Sequence, residues 1–356
     1  MVWRMVKLAP LENSYVNLSG KRYDSEFINL VQIHHDAIRF DERTLFLNDR
    51  EKKQLNAQPL AVNHNGVYVL EQEGVLGIVC DLPISEYQQQ HVKNHELVLP
   101  DTIQGMLSNY RGYNAEAAPV LLMADAEIAL QQFVDQHQPK AVYKAQASQA
   151  LYYDGDAAAT LLKMFEATDH LYVGDGHHRL YSTALSGFKQ NVLAYVVCFK
   201  DIKILPIHRQ LTRISESRFQ TSLQFIQRKF NVEALVDYDE PANIPGTVVM
   251  YRGPHAWRIH LIKLDADGFW NNDIYRLNTQ IIQQAFRIFD DQRYINYLSD
   301  QQLHHRHTNK DAVFFQVSPV SKESFVASAA ENNILPPKST WMWPKAPSMF
   351  IMSRYQ

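Results

Sequence analysis

The chain has 356 residues, 46% of them hydrophobic and 21% charged, with a formal net charge of −3. Such a length and composition exclude a disordered chain and leave room for two domains, or for one domain with a large appendage. The slightly acidic balance gives no electrostatic footprint for nucleic acid or for an anionic membrane as partner.

Residues 1–60 show no clear period. KRYDSEF at 21–27 lies in a mixed polar and apolar passage, and LNDREKKQLNAQP, ending at Pro59, reads as a surface helix or a connection. From Val67 the text becomes regular: VYVLEQEGVLGIVCDL predicts two strands with Glu73 and Gly74 at a hairpin turn. In HVKNHELVLPDTIQGMLSNY, His91 and His95 stand four apart with Glu96 following, and Asp101 or Thr102 is the expected N-cap of a helix reaching Tyr110. VLLM then predicts a strand, ADAEIALQQFVDQH an amphipathic helix with Ile128, Leu130, Phe133 and Val134 inward, VYKAQ and ALYYDG strands, and DAAATLLKMFEA a helix from Asp156.

After the LYVGDGHHRLYSTAL stretch, NVLAYVVCF reads as a strand buried on both faces and KILPIHRQL as a further strand leading into His208 and Arg209. From Glu216 the pattern restarts: SRFQTSLQFIQRKF is helical, TVVMYRG and AWRIHLIKL form a hairpin, IYRLNTQIIQQAFRIF is helical, and DAVFFQVSP is a strand. KESFVASAAENN then predicts a helix, and MFIMS a last strand beyond LPPKSTWMWPKAP. The class is therefore α+β (mixed α/β), with an N-terminal segment over 1–60, a core over 61–215 and a second α+β unit over 216–356.

The two cysteines, Cys80 and Cys198, each lie in an apolar strand-like run and read as core residues, not as a disulfide or a nucleophile. MVWRMVKLAP lacks the apolar region of a signal peptide, and the longest apolar runs, about eight residues, fall short of the roughly 20 that span a bilayer. A soluble, cytoplasmic protein is expected.

Four clusters could carry chemistry. The first is the turn from Asp175 to Arg179. A strand, Leu171 to Val173, breaks at Gly174 and Gly176 into a helix start, with Asp175, His177, His178 and Arg179 at the bend. Glycine lets the backbone approach a ligand, a helix N-terminus offers N–H groups and a positive dipole end, and Arg179 can grip oxygens bidentately, so a phosphate would be at home there. A surface turn rich in His and Arg is the alternative. The others are His95 with Glu96, His208 with Arg209, and Lys338, Ser339, Thr340 with Lys345, the last on a proline-stiffened loop suited to an anion or to capping a helix. A surface pair is the alternative for the HE dipeptide. HxxxHE is not the HExxH of a zinc protease, no CxxC frame exists, and HHRH at 304–307 reads as a solvated basic loop. Walker and Rossmann glycine patterns are also missing, so phosphate binding would need another frame.

Taken together, NHE at 94–96, VGDGHHRLYSTAL at 173–185, ILPIHR at 204–209 and LPPKSTWMWPK at 335–345, with the Val67–Leu82 hairpin, resemble the domain-of-unknown-function family DUF1015, in its order and over roughly residues 60 to 350. Departures are KRYDSEF for an opening PPYD-type segment, NHE for PHE and WMWPK for YFYPK. The same signatures resemble the free-serine kinases of the ParB/sulfiredoxin-like fold. That resemblance implies a nucleotide-binding core and phosphoryl transfer from ADP or ATP, with Mg2+, to free L-serine. It places Glu96 on the catalytic glutamate, Asp175 on a catalytic and magnesium-holding position, and Gly176, His177, His178 and Arg179 on the phosphate turn, with His208 and Arg209 as further nucleotide contacts. Lys338, Ser339, Thr340 and Lys345 fall on a loop for phosphate or substrate that returns to a site between the two halves of the chain. The partners implied are a nucleotide and a small molecule, with neither nucleic acid nor membrane. A nucleotide-binding regulator of the ParB-like class is the alternative, although no helix-turn-helix pattern or basic stripe accompanies it. Sulfiredoxin-like repair would need a cysteine beside the turn, and none is there.

Overall fold

The computed structural model describes residues 6–236, 243–309, 311–330, 335–336 and 338–355. It forms two compact units, one of residues 1–94, 98–203 and 342–356 and one of residues 95–97 and 204–341. These units divide the chain elsewhere than 1–60, 61–215 and 216–356. The reason is backbone pairing: the Leu11–Asn17 strand lies between Leu60–Gln72 and Ile351–Arg354 in one sheet, so residues near both ends are built into the first unit.

That sheet curls through the strands Leu30–Val31, Ala115–Glu116, Ile351–Arg354, Leu11–Asn17, Leu60–Gln72, Val75–Pro83, Asn191–Cys198, Val120–Ala124, Leu171–Asp175 and Val92–Lys93, in that order, with Ser148–Asp154 also paired to Leu60–Gln72. Most neighbours are antiparallel, but Asn191–Cys198 runs parallel to Val120–Ala124. Alternate residues build the core: Val67 and Val69, Ile78 and Cys80, Val120 and Leu122, Leu171 and Val173, Val192 and Ala194 point to one face, where Leu161, Phe165 and Leu180 from helices cover them. The opposite face is packed in part by the N-terminal passage, with Ile28, Ile33, Ile38 and Phe40 against Ala115, Met349 and Met352. Both cysteines are free and buried in strands.

The predicted hairpin forms between Gln72 and Val75, with Glu73 and Gly74 both at positive φ (51° and 79°), the geometry of the tight two-residue turn that matches strand twist. The polar passage before Pro59 contains the helix Asp49–Asn56, held by a capping box between Asn48 and Glu51. Three boundaries differ from expectation. The helix expected from Asp101 or Thr102 spans Pro100–Gly112 with Leu99 as N-cap, because Pro100 is pre-set for the first helical position. The ADAEIALQQFVDQH helix is confined to Leu130–Gln136. KILPIHRQL is split into Lys203–Leu205 and His208–Leu211 at Pro206, which has no N–H for a ladder.

The second unit carries an antiparallel sheet in the order Val232–Leu235, His255–His260, Thr247–Arg252, Val313–Gln316, His208–Leu211, Ile295–Leu298. Its core sets Val248, Met250, Val313 and Phe315 against Phe219 and Ile226 of the helix Glu216–Lys229. The helix predicted over IYRLNTQIIQQAFRIF is α-helical only at Asp273–Arg276 and continues as a π-helix over Leu277–Gln283. The last predicted helix spans Lys322–Ala330, and its expected end, Glu331 to Asn333, lies outside the described residues, as does Pro337. Arg306 of HHRH is buried over the Tyr251 ring, 4.3 Å from its centroid, instead of lying on a solvated loop. No helix among the described residues is long and apolar enough to cross a membrane.

Candidate functional site

The expected strand–turn–helix is formed by Leu171–Asp175 and the helix His177–Ser186. Register shifts between Val173 and Asp175, so the strand bulges at Gly174, immediately before Asp175. Gly176 is the N-cap in the left-handed region (φ 92°), with no side-chain cap; a Cβ there would stand 2.9 Å from Arg179 Nη2 and 3.0 Å from Val120. Only glycine fits both the dihedral and the space.

Charge at this turn is largely compensated within the first unit. Asp175 Oδ2 accepts from Arg179 Nη2 at 2.7 Å and Oδ1 accepts from Lys345 Nζ at 2.6 Å. Lys345 also donates to Glu26 at 3.2 Å. Burial works to lower the Lys345 pKa, but Asp175 and Glu26 outweigh it and hold the ammonium above its ordinary range. Arg179 is buried, and its Nη1 donates to the carbonyls of Ala118 and, at 2.9 Å, Pro119. Its main-chain carbonyl is held as well, with Tyr110 Oη at 3.0 Å and Thr183 Oγ1 at 2.9 Å. The guanidinium expected to grip a phosphate thus braces the turn, because three oxygens of the protein already occupy its fork.

The two histidines differ. His177 is buried, and burial, followed by the nearby His178, Arg179 and Lys345, pushes its pKa down to about 3, so it is neutral at pH 7 and adds no positive charge for an anion. His178 Nε2 accepts from the Leu99 N–H at 3.0 Å, which places its proton on Nδ1 and ties the turn to the start of the Pro100–Gly112 helix.

The HE dipeptide and the KST loop meet inside the second unit. His95 is fully buried, with Nε2 3.1 Å from Thr340 Oγ1 and its ring edge-on to Phe325 at 4.4 Å. Leu335 N donates to the His95 carbonyl at 2.7 Å, and an isolated parallel bridge joins Glu96 to Leu335. Ser339 is buried and donates to the Pro336 carbonyl at 2.6 Å, closing the loop on itself, while Lys338 is exposed with φ at 59°. Its carbonyl accepts from Arg209 Nη2 at 2.9 Å.

His208 and Arg209, expected as nucleotide contacts, are interior struts. His208 accepts from Val317 N at Nδ1 (3.2 Å) and donates from Nε2 to Asp300 (2.8 Å), and burial lowers its pKa despite the opposing Asp300 carboxylate. Arg209 is 1% exposed, over the Tyr297 ring at 5.1 Å. Both face protein because a strand central enough to have two neighbours offers its side chains to the packed faces of the sheet.

Magnesium does not fit Asp175 as the turn stands: an arginine and a lysine cover its two oxygens, whereas a divalent cation needs oxygens without competing cations. No group of three or more His, Cys, Asp or Glu among the described residues is placed to hold a metal ion. A residue that sequence reading passed over is Glu26 of KRYDSEF, which reaches Lys345; beside it Tyr23 and Phe27 stack at 4.8 Å. Its only signal is the place of KRYDSEF in the motif order, since a carboxylate pairing with a distant lysine leaves no local period.

No curated protein matches the chain in sequence. Among solved structures it is similar to C-terminally truncated SbnI from Staphylococcus aureus, at 12% identity over 76% of this chain and 85% of that one, with a TM-score of 0.46. It is also similar to a free serine kinase in complex with AMP (12% identity, 75% and 86% covered, TM-score 0.42) and to a conserved hypothetical protein from Pyrococcus furiosus (14%, 76% and 93%, 0.42). The model of the family described as protein of unknown function, DUF1015, matches residues 48–281, which include NHE, the DGHHR turn and ILPIHR, and the chain belongs to that family.

Proposed function

We propose that this protein is a small-molecule kinase that transfers a phosphoryl group from ADP or ATP to the hydroxyl of free L-serine or a similar small acceptor. The observation that supports it most is the meeting of HE with KST: His95 and Thr340 are in hydrogen-bond reach although 245 positions apart, as expected if both motifs serve one reaction. An alcohol is a poor nucleophile near neutral pH, so a carboxylate that takes its proton as the new P–O bond forms lowers the barrier. Glu96 has that role here. The hydroxyl oxygen bonds to phosphorus, the bond to the departing ADP or AMP oxygen breaks, and Glu96 holds the proton. His95 and the loop closed by Ser339 orient Thr340, and exposed Lys338 supplies a cation. At the DGHHR turn the N-terminus of the His177–Ser186 helix and Lys345 attract phosphate oxygens, a division of labour that leaves Arg179 as the brace.

One observation favours a second reading, a nucleotide-binding regulator without a small-molecule product: the turn's arginine is engaged internally and His177 is buried and neutral, which suits binding more than charge stabilisation during transfer. The test is a phosphoryl-transfer assay with ADP or ATP in turn, magnesium in the buffer, and L-serine within a panel of amino acids and hydroxy acids, read by mass spectrometry. Phosphoserine is expected from the wild type, falling on the order of 10²–10⁴-fold in Glu96→Gln while nucleotide binding persists. Saturable nucleotide binding without product from any acceptor supports the regulator, and absence of both sinks both readings.

A further inference from the structure

The second unit holds a cleft that neither reading uses. It is an open groove of about 380 Å³ between the Glu216–Lys229 helix and residues 284–287, lined by Arg218, Arg228 and Arg287 with Ser217, Thr221 and Phe225 among its other walls. The helix residues recur at three- and four-residue steps, so one face of the helix carries two arginines, the hydroxyl residues Ser217, Thr221 and Ser222, and the aromatic ring. Among the described residues no acidic side chain lines the cleft. The nearest carboxylates in sequence have other partners: Glu216 pairs with Arg252 at 3.1 Å, and Asp290 accepts from Arg293 N at 3.3 Å.

The three arginines have distinct situations. Arg218 is half-buried and donates from Nε and Nη2 to the carbonyls of Phe286 (Nε at 3.0 Å) and Arg287 (3.2 Å), which fixes the far wall. Arg228 and Arg287 are exposed, and among the described residues neither forms an ion pair with a carboxylate; the one hydrogen bond of Arg228 is to the Gln224 carbonyl at 3.3 Å. Arg287 is held at a φ of 56°, a left-handed conformation unfavourable for a residue with a Cβ. The wall that ends there follows the π-helix Leu277–Gln283, a geometry that recurs at functional sites.

We propose that this cleft binds a small organic phosphate, with the guanidinium groups of Arg228 and Arg287 on the phosphate oxygens. Guanidinium forks match phosphate geometry, Ser217 adds a hydroxyl beside them while that of Thr221 is donated to the Ser217 carbonyl at 3.0 Å, and Phe225 offers an apolar surface to the organic part. The volume exceeds what a bare phosphate fills and lies within the range of small-ligand sites. This assignment is independent of the kinase reading.

The experiment is calorimetric titration of the full chain at low salt with glucose 6-phosphate, ribose 5-phosphate and inorganic phosphate as probes. Saturable one-to-one binding of a sugar phosphate is expected, weakened at least tenfold in Arg228→Ala/Arg287→Ala and unchanged in Lys345→Met, which separates the cleft from the DGHHR turn. Both substituted arginines are exposed, so an unchanged melting temperature shows that the double variant is folded. Binding of inorganic phosphate as tightly as either sugar phosphate overturns the organic assignment. Failure of both sugar phosphates to bind, or equal affinity in the double variant, overturns the site.

Discussion

At the scale of single residues, the imidazole of His177 shows what burial does at the DGHHR turn. Its folded pKa of about 3 lies below the ordinary value of 6.5, so the unfolded chain binds a proton that the folded chain refuses. Stability from this group is therefore full above pH 6.5 and is lost as the pH falls toward 3, at a slope of up to about 1.4 kcal/mol per pH unit. Urea midpoints measured between pH 7.5 and 5 should fall more steeply for the wild type than for His177→Gln; parallel curves would show that the ring is accessible to protons in the folded state. Arg209 offers a second test. It is 1% exposed and holds the Ile207 and Lys338 carbonyls, so Arg209→Met should cost about 1–3 kcal/mol in urea unfolding by leaving two part-buried carbonyls without their donor. A loss under 1 kcal/mol would mean that the Lys338 loop does not depend on it.

Secondary-structure elements were legible where one face is apolar. The Val120–Ala124 and Asn191–Cys198 strands, buried throughout or nearly so, announce themselves as short apolar runs, and the hairpin at Glu73–Gly74 is marked by its turn residues. Leu11–Asn17 is not readable in the same way, because two of its buried positions, on opposite faces, are polar: Ser14 is buried against Tyr68 Oη at 2.7 Å, and Asn17 is buried against Gln58 at 2.5 Å. Their partners lie 54 and 41 positions away in the chain, so no local window contains the reason. The turn follows the same logic. Asp175, Gly176 and Lys345 could be singled out from residue type and spacing, whereas the bracing role of Arg179 rests on the carbonyls of Ala118 and Pro119, and backbone acceptors leave no trace in residue identity. Gly176→Ala tests the turn directly. It should destabilise by about 1–3 kcal/mol, since it forces a Cβ into a left-handed residue and against Arg179, whereas Gly187→Ala, also left-handed but facing open space, should cost less. Equal melting shifts for the two would remove the steric part of the argument.

At the scale of the whole molecule, the first unit contains a buried polar box that ties distant segments together. Lys189 Nζ pairs with Glu116 at 2.7 Å, lies 3.2 Å from Thr183 Oγ1, and sits over the rings of Tyr110 and Tyr355 at 4.2 and 4.6 Å. Burial lowers the Lys189 pKa, and nearby Asp81 is raised well above the carboxylate range by burial and then by Glu116. Lys189→Met should therefore lose about 3–5 kcal/mol by stranding Glu116, and adding Glu116→Gln should recover part of it. Strict additivity of the two losses in thermal or urea unfolding would show that the pair is not coupled.

The strand Ile351–Arg354, paired to Leu11–Asn17 on one side and to Ala115–Glu116 on the other, has a consequence for synthesis. A ribosome delivers Leu11–Asn17 more than 300 residues before Ile351–Arg354, so until the later strand is made one side of the earlier one has unsatisfied N–H and C=O groups, a template for pairing with other nascent chains. The first unit can close its sheet only after the second has been made, and arrested nascent chains ending before residue 351 should be captured by a holdase chaperone and cut readily by protease, while chains extended past residue 355 with a tunnel-length linker should resist both.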